Sequence, residues 1–141
     1  MNWRARTVEI NDATYTAWNA HDPDGVAAVF AEDARVRDSS ASTWEVGRDA
    51  VRARAASLLA AFPDLGLERQ SLLIDGPNHA DRWVLSGTHL GEFFGVAPTG
   101  RAVRVEGATF TTLGVRGAAI LVIEDVHHVD SAALFRQLGL G

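Results

Sequence analysis

Asp125 and His127 stand two residues apart in the apolar run 118–129, a carboxylate and an imidazole at strand spacing. Alternate strand positions share a face and lie about 7 Å apart, near enough to influence each other without an obligatory hydrogen bond. The carboxylate favours an imidazolium and burial opposes it. His127 is therefore expected to titrate near neutrality, where general acid–base catalysis operates. The same spacing also suits a buried histidine bonded to Asp125 or to the backbone, with no substrate involved. His128 must point away from its neighbour, so the two imidazoles cannot share one metal. With no cysteine and no His-x-x-x-His spacing, thiol chemistry is excluded and no metal is expected.

A second chemical feature is the stretch 87–101, GTHLGEFFGVAPTGR, in which glycines at 87, 91, 95 and 100 surround one histidine and two phenylalanines. Glycine adopts positive φ without steric cost, so this segment reads as a strand that ends, turns and restarts. Pro98, Thr99 and Gly100 complete the turn. His89, beside Phe93 and Phe94, is placed at the rim of an apolar wall, where it either meets a ligand carbonyl or satisfies backbone groups at the strand break. Tyr15 and Trp18 on the first helix, Trp44 in a short polar segment, and Trp83 on the face of His89 are candidate walls of an aromatic slot. Aromatics at helical spacing are equally core residues.

The elements that hold these groups fit one domain spanning residues 1–141. Apolar residues make up 47% and charged residues 22%, the range of a soluble globular protein. The net charge is −5 and the basic residues, all arginine, form no stripe, which argues against a nucleic-acid partner. No apolar run approaches membrane length and the N-terminus has no apolar leader segment, so no membrane association and a cytoplasmic location are expected.

Helices are expected over about Val8–Ala20, after the cap Asp22-Pro23, and from Gly47 to the stop at Pro63. Residues 34–36 read as a short strand. Hairpins follow: 65–74 with 79–89 around Asp75-Gly76-Pro77-Asn78, and 101–113 with 118–129 around Gly114–Gly117. A final short helix covers Ser131–Leu138. Helices followed by an antiparallel meander imply an α+β domain, and a sheet that curls around helices leaves a cavity between them. Periodicity leaves open which face of 118–129 lines it, because apolar residues occupy both.

This order of elements resembles the cone-shaped fold of nuclear transport factor 2. The segment GTHLGEFFGVAPTGR, the preceding Phe62-Pro63-Asp64-Leu65, and the ending Asp130…Phe135-Arg136-Gln137-Leu138-Gly139 are similar to the SnoaL-like polyketide cyclase family over about Val8–Gly139. That resemblance implies a cofactor-free intramolecular aldol condensation on a small hydrophobic carbonyl compound. It also implies an acid/base aspartate three residues before the one that opens the last helix. Here Asp130 opens the helix, so His127 occupies that position, with Asp125 as its modulator. The family's histidine on the neighbouring strand is matched by Thr109 or Thr111. The resemblance turns the odd-numbered residues of 121–129 inward and leaves Ile120, Val122 and Val126 on an outer face, from which a homodimer is expected.

Overall fold

The computed structural model describes residues 2–140. Helix α1 (Trp3–Asn19) starts earlier than the periodicity implied, because the Asn2 side chain accepts from the Ala5 amide and caps it. Farther on, the Arg6 guanidinium donates to the Ile120 carbonyl at 3.0 Å, tying the first turns to the sheet. Helix α2 (Pro23–Ala28) begins with proline in its first turn, and α3 (Arg48–Ala61) ends just before Phe62-Pro63. The strands are β1 (Phe30–Asp38), β2 (Glu45–Val46), β3 (Gly66–Asp75), β4 (Asn78–Thr88), β5 (Ala102–Arg116) and β6 (Ala119–Val129), and α4 (Ser131–Gln137) closes the chain.

The fold is α+β, with one six-stranded curled sheet in the order β2-β1-β6-β5-β4-β3. The expected hairpins β3–β4 and β5–β6 are present. The sheet is wider than the expected four-stranded meander, because β1 runs nine residues and pairs in parallel with β6, Val36 opposite Asp125 and Asp38 opposite His127. In β1 the inward side chains Ala34 and Val36 are small and alternate with Arg35 and Arg37, so the apolar face is brief in sequence.

The poor alternation of 118–129 has a specific cause. Val122 faces Leu113 and Glu124 faces Thr112, which leaves Ile123 as an extra residue on β6. Such a bulge reverses the phase of the strand. Before it Val122 enters the core, 2% exposed; after it Asp125 turns inward. The outer apolar face from which a homodimer was expected therefore loses Val122.

Two apolar clusters sit between helices and sheet. One joins α1, α2 and α3 to β1 through Ile10, Val26, Phe30, Val36 and Val51, and the other joins α3 to β4, β5 and α4 through Phe62, Leu65, Trp83, Val105 and Leu138. Gly91 lies against the end of α3, where an added Cβ would fall 2.1 Å from the Ala60 carbonyl oxygen, so only glycine fits. The tip of the same loop turns through Phe94 and Gly95, both at positive φ between the bridged pair Phe93 and Val96.

Candidate active site

The register of three adjacent strands sets two polar rows side by side on the inner face. Asp81 on β4 lies opposite Thr109 on β5, which lies opposite His127 on β6; His79, Thr111 and Asp125 form the parallel row. Thr109 and Thr111, between which the sequence could not choose, both point inward, one against each member of the pair. Thr111 donates to Asp125 Oδ1 at 2.6 Å, and Thr109 Oγ1 lies 2.8 Å from His127 Nδ1. The Trp83 indole donates to Thr109 Oγ1 at 3.0 Å. His127 Nε2 lies 3.9 Å from Asp125 Oδ2, adjacent but unbonded.

Burial is uneven across the pair. The Asp125 side chain is 9% exposed and that of His127 is 24% exposed, so solvent reaches the imidazole. Burial pushes the Asp125 carboxyl up to about 7, against the Thr111 hydrogen bond and with help from the charge of Asp81. His127 moves the other way: burial, then the positive charge of Arg54, holds it below the usual imidazole value, with Asp38 opposing. The expected titration of His127 near neutrality is thus corrected, because loss of hydration, joined by the charge of Arg54, outweighs the carboxylate of Asp38. At neutral pH the imidazole is uncharged and the carboxyl is the group poised to exchange a proton.

Several flanking groups complete the site; of these, sequence reasoning named Tyr15 and missed Asp81, His79, Arg69 and Arg54. Asp81, 6% exposed, accepts a short hydrogen bond from the Tyr15 hydroxyl, and burial followed by that bond pushes the phenol above its ordinary value. Arg69 reaches Asn11 at 2.7 Å and sits over the Tyr15 ring. Arg54 donates to Asp38 at 2.6 Å beside His127. The available signal was strand alternation: His79 and Asp81 occupy the same-face positions as Trp83 and Leu85.

Other expected site residues lie elsewhere. Trp18 packs against both apolar clusters, and Phe93 packs edge-on to Phe62 with ring centroids 5.4 Å apart. Trp44 is outside the inner face, with Arg35 and Arg37 over its ring at 4.4 and 4.9 Å, because two cations on the outer side of β1 offer it a better surface than the core. His89 is fully buried, not at a rim. The loop folds back over it, so that Thr99 donates its amide to His89 Nδ1 and the imidazole pins residues 89–101.

Gly107 makes the row possible. A Cβ there would fall 2.3 Å from Trp83 Cη2 and 2.8 Å from the His128 carbonyl oxygen. Gly107→Ala is expected to displace the indole and lower stability by about 1–3 kcal/mol in urea unfolding. An unchanged midpoint would mean that Trp83 does not lie across β5 as described.

Among known proteins, the SnoaL-like polyketide cyclase family matches residues 8–138. AclR from Streptomyces galilaeus, named as a candidate hydroxylase, is 28% identical with a TM-score of 0.81, covering 96% of this chain and 82% of AclR. IdmH from Streptomyces antibioticus, named as a candidate polyketide cyclase, is 26% identical with a TM-score of 0.75, covering 94% of this chain and 97% of IdmH. A protein from Catenulispora acidiphila with a ketosteroid isomerase-like fold, solved with trimethylamine, is 20% identical with a TM-score of 0.77 over 94% of each chain, and it shares the fold. No curated protein matches the chain. The family match over nearly the whole length and the curled sheet around N-terminal helices agree: this chain belongs to the SnoaL-like polyketide cyclase family.

Proposed function

We propose that the protein is a cofactor-free acid–base enzyme acting on a small hydrophobic carbonyl compound, by intramolecular aldol condensation or by isomerisation through the same enolate. One observation carries the reading: Asp125 and His127 stand 3.9 Å apart on the inner face, with solvent reaching the imidazole. A carbonyl oxygen and its α-hydrogen are close enough together to meet both groups at once. One group of the pair takes the α-proton while the other donates a hydrogen bond to the oxygen that becomes the enolate. The enolate carbon then attacks a second carbonyl carbon, and the resulting alkoxide receives the proton. The product is an isomer of the substrate, with no oxidant and no leaving group. Trp83 and Tyr15, bonded to Thr109 and Asp81, supply apolar surface beside the polar rows.

A purely binding role requires the polar groups to be wholly occupied by one another. The exposed edge of His127 and the unbonded gap to Asp125 favour catalysis instead. The test needs no knowledge of the natural substrate. α-Hydrogen exchange of 2-tetralone and of a cyclic 1,3-diketone in D2O, followed by NMR, reads enolate formation directly. The protein is expected to accelerate exchange, and His127→Gln to reduce that acceleration by about a hundredfold. Equal exchange with and without protein, or in wild type and variant, rejects the assignment.

A further inference from the structure

We propose that Trp83 and Thr109 are positioning residues that fix which nitrogen of His127 carries the proton, presenting Nε2–H toward Asp125. An indole N–H can only donate, so Thr109 Oγ1 must accept from Trp83 at 3.0 Å. The threonine hydroxyl has one proton of its own, and its other hydrogen-bond neighbour among the described residues is His127 Nδ1 at 2.8 Å. Were Nδ1 protonated, two donors would converge on Thr109 and its own proton would lack an acceptor. Thr109 is 7% exposed, so that orphan would be costly. The facing carboxylate does not relieve it: among the described residues Thr109 Oγ1 is hydrogen-bonded to Trp83 and His127 and not to Asp81, whose carboxylate accepts from Tyr15. Thr109 therefore donates to Nδ1, and the proton of the neutral ring resides on Nε2, 3.9 Å from Asp125 Oδ2. Gly107 permits this chain of bonds by leaving room for the indole.

The consequence for catalysis rests on the acid–base reading above. Nε2–H is a donor and Nδ1 is occupied, so neutral His127 has no free lone pair with which to abstract a proton. Its role becomes that of a fixed hydrogen-bond donor to the substrate oxygen, and it keeps its proton throughout. Asp125 Oδ2 is then the base: the α C–H bond breaks, an O–H bond forms on the carboxylate, and the electron pair passes into the enolate. After the carbon–carbon bond forms, Asp125 returns that proton to the new alkoxide.

Long-range 1H–15N spectra of uniformly labelled protein at neutral pH test the assignment, with the His127 signals identified by their loss in His127→Gln. The expected wild-type pattern is a protonated Nε2 and an unprotonated, hydrogen-bonded Nδ1. Thr109→Val keeps the shape of the side chain and removes the hydroxyl, so the Nδ1 signal should move to that of an unbonded or protonated nitrogen. Thr109→Ser should restore the wild-type signal, and Trp83→Phe should move it in the direction of the valine variant by less. A protonated Nδ1 in the wild type, or an Nδ1 signal that Thr109→Val leaves in place, overturns the proposal. Because the readout needs no turnover, it stands or falls independently of the exchange assay.

Discussion

Asp125→Asn is expected to abolish most α-hydrogen exchange, by about 10²–10⁴-fold, while the protein stays folded. The substitution is nearly isosteric, and its side-chain oxygen can still accept from the Thr111 hydroxyl that now bonds Oδ1 at 2.6 Å. What disappears is the ability to take a proton. The pH dependence separates this role from its alternative. A base works ionised, and burial raises the Asp125 carboxyl to about 7. Exchange by the wild type should therefore rise with pH through about 7 and level off above it. His127 contributes no second limb there, because burial and Arg54 keep it uncharged well below neutrality. A rate that falls as pH rises through 7 would make Asp125 an acid. A rise complete by pH 5 would mean that the carboxyl is not shifted.

The division between what sequence disclosed and what it hid is physical. Turn and cap chemistry is local, so Pro63, Asp75-Gly76-Pro77-Asn78 and the Asp130 cap, which accepts from the Ala133 amide, marked their elements correctly. The inward pair Asp125 and His127 was reachable only through resemblance, because the Ile123 bulge breaks the alternation that would have revealed it. Bulges are set by strand pairing, which no single strand encodes. Thr109 and Thr111 were both proposed and both face inward, but their partners follow from register. Asp81 was overlooked because its strand was read for aromatics, although a carboxylate at an inward position is the costlier and more informative residue. Trp44 was misplaced, and His89 took the second of its two expected roles, for the opposite reason: residue type indicated a slot and a rim, whereas two arginines beneath the one and loop closure over the other, with the Thr99 amide on its imidazole, decided their surroundings.

A carboxyl raised by burial also weakens the fold where it is ionised, and Asp125→Asn should expose that cost. The folded-state value of about 7 lies above the ordinary 3.8, so the folded protein holds this proton more tightly than the unfolded chain does. The resulting stability is complete below the ordinary carboxyl value and is lost as pH rises through about 7. A shift of this size corresponds to at most on the order of 4 kcal/mol. His79 and His127, both lowered by burial, act in the reverse sense: their contribution is present above the ordinary imidazole value and is lost on acidification. The wild-type profile alone therefore mixes opposing slopes, and the difference between wild type and Asp125→Asn isolates the carboxyl. In urea unfolding the variant should be the more stable protein at pH 8, with the advantage shrinking toward zero near pH 4. A variant weaker than wild type by the same amount at both pH values would show that Asp125 acts by packing and hydrogen bonding alone. The residue whose loss most impairs catalysis would then not be the one whose loss most stabilises the fold, a coincidence expected only where a charge is held in place for chemistry.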